Sequence, residues 1–125
     1  KATELMIGDL IKIKGHLDYD KVQEIARDEN MQWYISFACS ATLFRAYEFE
    51  PIPLTPEILE KNGWKETEYW HEYEDGNTII QYSLSNIWGI INEIEIEHFK
   101  CEYVHQYQHL LRLCGLNELA DNFKV

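Results

Sequence analysis

Glu68-Tyr69-Trp70-His71-Glu72-Tyr73-Glu74-Asp75-Gly76-Asn77-Thr78-Ile79-Ile80-Gln81-Tyr82-Ser83-Leu84 is the stretch that decides the fold class. Acids and aromatics mix up to Asp75-Gly76, and a run rich in β-branched and apolar residues follows. The segment therefore reads as two antiparallel strands, 68–74 and 78–84, joined at the Asp-Gly pair. Successive side chains of a strand point to opposite faces, which sets Tyr69, His71 and Tyr73 against Trp70 and Glu72.

Toward the N-terminus, Glu50-Pro51-Ile52-Pro53-Leu54 cannot lie in a sheet centre, because its prolines lack an N–H donor. A helix start follows, with Thr55 as N-cap, Pro56 at the first helical position, Glu57 at the positive end of the dipole and Gly63 as the stop. Further back, 10–14 alternates Ile11 and Ile13 with Lys12 and Lys14, the period-2 pattern of a half-buried strand. Strands at 21–26, 31–38 and 43–49 complete a small bent antiparallel sheet, for which an SH3-like barrel is the candidate form.

Toward the C-terminus, 92–97 alternates Ile94 and Ile96 with Glu93, Glu95 and Glu97, so the isoleucines are expected inside and the acids outside. Such an acidic strand suits a sheet edge, where it discourages stray pairing. Residues 101–103 suggest a short further strand. Residues 104–114 then read as a helix, with Val104, Tyr107, Leu111 and Cys114 on one face and Gly115 as its stop. The expected fold is α+β: a bent N-terminal antiparallel sheet, a short middle helix, a β-hairpin and a C-terminal helix. At 125 residues a single domain spanning 1–125 is expected.

Composition narrows the function classes. The formal net charge is −11. Residues 48–125 hold fifteen acids against five Lys or Arg, whereas 1–47 is nearly balanced. Nucleic-acid affinity rests on Lys and Arg neutralising phosphates, so direct binding to nucleic acid is disfavoured, and so is binding to anionic lipid. No apolar run approaches the length of a membrane span. Three cysteines, Cys39, Cys101 and Cys114, cannot all pair within one chain, which with the polar start suits a reducing cytoplasm.

Three blocks of the chain carry a resemblance. They are Glu4-Leu5-Met6-Ile7-Gly8-Asp9, then Glu50-Pro51-Ile52-Pro53-Leu54-Thr55 with Glu57, Leu59 and Gly63, and Tyr103-Val104-His105-Gln106 with Gln108 and Leu110. In this order the blocks resemble a family of small uncharacterised proteins found in Bacteroidetes genomes and their phages or mobile elements. The chain departs from that pattern at Tyr107 and His109, where Leu and a polar residue other than His are expected. The resemblance implies a cytoplasmic accessory protein of phage or mobile-element origin, and it brings no activity, cofactor or catalytic residue with it.

Two groups of residues are candidates for a site. Cys101, His105 and His109 recur every four residues with His98 just upstream, and imidazole and thiolate at helical spacing can hold Zn²⁺. The plainer reading is a buried Cys101 and a His105 bonded to backbone or to a carboxylate. In His105-Gln106-Tyr107-Gln108-His109 the general-base Glu of a zinc protease is replaced by Gln106, which excludes that chemistry. The second group is Trp64, Tyr69, Trp70, Tyr73, Tyr82 and Trp88, aromatics interleaved with acids. Part of this set is expected in the core, and any exposed part suits a protein interface.

No catalytic constellation emerges. Cys39 lies among small and apolar residues with no cation to activate it. There is no Gly-x-Ser-x-Gly elbow and no phosphate loop. Glu66, Glu68, Glu72, Glu74 and Asp75 read as solvated strand faces rather than paired catalytic acids. Three functions stay open: an acidic module that binds an unknown protein partner, a metal-binding protein using His98, Cys101, His105 and His109, and a DNA mimic whose carboxylates imitate phosphates. The first, which is not an enzyme, ranks highest.

Overall fold

The computed structural model describes residues 5–13, 19–27, 33–37, 40–45 and 49–125. The chain contains two compact units, Lys1–Ile52 and Pro53–Val125. Each unit holds one five-stranded antiparallel sheet, and the second adds three short helices, so the fold is α+β.

In the first unit β1 (Leu10–Ile13), β2 (Tyr19–Arg27), β3 (Trp33–Phe37) and β4 (Ser40–Arg45) form a meander, and β5 (Phe49–Pro51) returns to pair with β1. The expected fourth strand at 43–49 is corrected: Leu43 and Arg45 belong to β4 and Phe49 to β5, strands at opposite edges of the sheet, while 46–48 lie outside the described residues. Pro51 is tolerated in β5 because an edge strand needs partners on one side only. Ile11 is buried as its alternation requires, and Leu10 is buried as well. The Ile7-Gly8-Asp9 block enters the sheet through a tight turn. The Asp9 carboxylate accepts a hydrogen bond from the Met6 N–H at 2.7 Å, and the Gly8 N–H and Val22 carbonyl pair at 2.7 Å. Asp9 is fully buried, and this local bond offsets part of its desolvation.

The second unit opens with α1 (Pro56–Lys61). Thr55 caps it as its sequence predicts, its Oγ1 accepting from the Ile58 N–H at 3.3 Å. Gly63 and Trp64 close it with N–H bonds to the Glu60 and Leu59 carbonyls, the paired bonds of a Schellman motif. Replacing Thr55 by Ala is expected to cost about 1 kcal/mol, read as a lowered urea midpoint with an unchanged slope.

Next come β6 (Lys65–Glu66), β7 (His71–Asp75), β8 (Thr78–Ser83), β9 (Asn86–Ile91) and β10 (Ile94–Lys100), paired in sequence order. The hairpin read from the sequence exists, but Asp75 pairs with Thr78, so the two-residue loop is Gly76-Asn77 rather than Asp75-Gly76. The loops Leu84-Ser85 and Asn92-Glu93 each hold two residues at positive φ, the geometry that follows the twist of a hairpin. Strand β9 has no counterpart in the sequence reading. Its loop lacks the usual Asn-Gly signal, and Ile87-Trp88-Gly89-Ile90-Ile91 does not alternate.

The predicted strand at 92–97 is likewise corrected to Ile94–Lys100, with Asn92 and Glu93 in the turn. Ile94 is 45% exposed rather than inside, because β10 is the edge strand and lies beyond the best-covered part of the sheet. The register breaks between Ile96 and Phe99, which puts Glu97 and His98 in a bulge. Cys101 follows the strand, and Tyr103 forms only an isolated bridge with Pro53.

Helix α2 (Val104–Leu113) buries Val104, Tyr107 and Leu111, and Cys114 beyond its end is buried too, the face predicted from spacing. Gln106 Oε1 accepts from the Glu102 and Tyr103 N–H groups at its start, at 2.8 and 3.1 Å. A second Schellman motif ends it at Gly115 and Leu116. Helix α3 (Asn117–Asp121), too short for a periodic signal, is tied back by the buried Gln108, whose Nε2 donates to the Ala120 carbonyl at 3.0 Å. The core of this unit gathers Ile80, Tyr82, Ile87 and Ile91 from the sheet with Leu59, Trp64, Tyr107 and Leu111. None of the helices among the described residues is long and apolar enough to cross a membrane.

Candidate functional site

Cross-strand register builds one face of the second sheet from two rows. Glu72 stands beside Gln81 and Gln81 beside Trp88, while Glu74, Ile79, Ile90 and Glu95 form the neighbouring row. The alternate residues Thr78, Ile80, Tyr82, Ile87 and Ile91 are buried, so these two rows form the outer face. Apolar groups nevertheless occupy its middle. Ile79 is 39% exposed and Ile90 44%. Trp88 meets Trp70 edge-to-face with ring centres 6.2 Å apart, and Tyr69 lies 6.2 Å from Trp70. Glu72, Glu74 and Glu95 flank this patch, and the Gln81 Nε2 donates to Glu72 at 3.2 Å.

The predicted aromatic surface is therefore corrected in part. Trp64 and Tyr82 are buried core residues. Trp64 sits 5.8 Å from both Tyr73 and Tyr107, and Tyr73 is half-buried on the core side. Tyr69, the most exposed of the set, is held out by the turn between β6 and β7. There the Thr67 N–H donates to the Trp70 carbonyl at 2.7 Å, and the Thr67 hydroxyl bonds to the same carbonyl. Ile79 and Ile90 complete the outer patch, and sequence reasoning passed over both. Their neighbours Ile80 and Ile91 are core, and only the register shows which isoleucine of each pair faces out.

The predicted metal ligands are not gathered. Among the described residues no three of His98, Cys101, His105 and His109 bring ligand atoms within 4.8 Å of one another. His98 is exposed in the β10 bulge, whereas Cys101 and His105 are buried. Cys101 Sγ contacts the Tyr103 carbonyl at 3.7 Å, and burial pushes its thiol up to about 12. A thiol held protonated in this way is a poor ligand and a poor nucleophile. The His105 ring stacks on Tyr103 at 5.9 Å and meets the His109 ring edge-on at 5.6 Å, so the helical spacing serves packing. Cys39 lies outside the described residues.

A different group does converge. Glu60 of α1, Glu66 of β6 and His71 of β7 place one ligand atom each within 4.8 Å of one another. Glu66 and His71 are direct cross-strand partners, and the Schellman turn that ends α1 brings Glu60 alongside. No periodicity links positions 60, 66 and 71, so only the pairing of β6 with β7 reveals the group. No protein-family model, no curated protein and no solved structure matches the chain.

Proposed function

We propose that the chain is a non-enzymatic protein-interaction module whose docking surface is the outer face of the second sheet, centred on Trp70, Trp88, Ile79 and Ile90. The observation that supports this reading is the exposure of Ile79 and Ile90 beside an edge-to-face tryptophan pair on a face that otherwise carries Gln81 and the acids Glu72, Glu74 and Glu95. Aromatic anchors inside a polar rim are what protein interfaces use, and isolated apolar residues are not. Glu72, Glu74 and Glu95 on the rim, with a net charge of −11, select a partner segment that is apolar at its centre and flanked by Lys or Arg. The apolar middle of the face favours this partner over a nucleic-acid-binding enzyme deceived by carboxylates, because phosphate mimicry needs an unbroken acidic array. The free thiols Cys101 and Cys114, both buried, suit the reducing cytoplasm in which such an accessory protein of a mobile element would act.

Selection from a displayed peptide library tests the reading. Enriched peptides are expected to combine an aromatic or aliphatic residue with flanking Lys or Arg, and to bind Trp88→Ala and Ile90→Asp proteins at least tenfold more weakly at unchanged melting temperature. No enrichment, or binding that survives both substitutions, would overturn it.

A further inference from the structure

From the convergence of Glu60, Glu66 and His71 we infer that the second unit holds a divalent transition-metal site of the zinc class, an inference that does not rest on the docking reading although Trp70 borders both regions. The ligand set is one imidazole and two carboxylates, hard and borderline donors that Zn²⁺ accepts with nitrogen and oxygen at about 2.0 to 2.2 Å. Two such ligands on a tetrahedral ion stand about 3.4 Å apart. His71 Nε2 and Glu60 Oε2 are already 3.3 Å apart, which is long for a charge-assisted hydrogen bond, about 2.7 to 2.9 Å, and matches the edge of a coordination tetrahedron. The third ligand needs only a side-chain rotation. Glu66 is exposed, and its carboxylate makes no hydrogen bond or ion pair among the described residues.

The surroundings add two independent observations. The His71 side chain is only 15% exposed, so the imidazole is held in place before any ion arrives. A depression of about 230 Å³ opens beside it, lined by Glu66, Trp70, His71 and Tyr82 among others. Three protein ligands leave one zinc position open, and the depression beside His71 has room for a fourth ligand that is water or a small anion. The site is thus built by the C-terminal turn of α1 and the first two strands of the sheet, and an ion there would clasp them together.

The test is calorimetric titration of Zn²⁺ into the untagged full chain, with the imidazole resonances of His71 followed by NMR. One ion per chain is expected, with the His71 signals shifted on binding and affinity at least tenfold weaker in Glu66→Gln and in Glu60→Gln. Glu66 and Glu60 are both exposed, so these variants keep the fold even if His71→Ala does not. A His105→Ala, His109→Ala protein is expected to bind as the parent does. Absence of saturable one-to-one binding would overturn the site. So would binding that persists in Glu66→Gln and Glu60→Gln, or that is lost with His105 and His109.

Discussion

Replacing Tyr107 by Ala is expected to destabilise the second unit by about 3 to 5 kcal/mol, the range for removing a fully buried aromatic ring. Tyr107 is 1% exposed. Its ring lies 5.8 Å from Trp64 and 5.3 Å from Phe123, both near edge-on, so it joins the end of α1 to the C-terminal tail through α2. Deleting it leaves a cavity and strips two aromatic contacts at once. Burial also raises the phenol well above its ordinary value, so its proton stays on across the neutral range. Tyr107→Phe keeps the ring and is expected to cost only about 1 kcal/mol. Guanidinium unfolding followed by tryptophan fluorescence separates the two variants. Equal losses for Ala and Phe would show that the hydroxyl rather than the ring carries the stability.

Gly89→Ala is the second large effect, at about 3 kcal/mol or more. Gly89 sits in β9 at φ +129°, a conformation that L side chains rarely adopt, and a Cβ there would overlap the Ile79 carbonyl oxygen of β8. Gln81 Oε1 and Ile80 Cα crowd the same position at 3.1 Å each. The obstructing atoms are mostly backbone of the paired strand, so relief requires parting the β8–β9 ladder at the centre of the sheet. Gly76→Ala is the natural comparison. Its φ is +56°, a Cβ meets nothing within 4 Å, and only the left-handed backbone penalty of about 1 to 2 kcal/mol applies. If the two substitutions lower the thermal midpoint equally, close approach of the strands is not the reason for glycine at position 89.

Elements whose determinants lie within a few residues of one another were legible. Thr55, Pro56 and Gly63 mark both ends of α1, and Val104, Tyr107, Leu111 and Cys114 give the buried face of α2. Strand β9 was not legible, because Leu84-Ser85 turns the chain without glycine or asparagine and because Gly89 interrupts the alternation for a reason supplied by the neighbouring strand. The site residues divide in the same way. Cys101, His105 and His109 look like a ligand stripe because helical spacing would align them, yet Cys101 lies before α2 begins and His105 packs against Tyr103 and His109. Glu60, Glu66 and His71 share no spacing rule and still converge.

By itself, then, the sequence determined the α+β class, both ends of α1 and the stop of α2, the β7–β8 hairpin and the acidity of the later two-thirds of the chain. Each of these depends on local sterics, on periodicity or on charge, all of which are written in neighbouring residues. The tertiary structure alone decided which aromatic and aliphatic side chains face outward, which strand pairs with which, and where three potential ligands meet. Those outcomes depend on strand register, and a one-residue slip would exchange the buried and exposed sets along an entire strand.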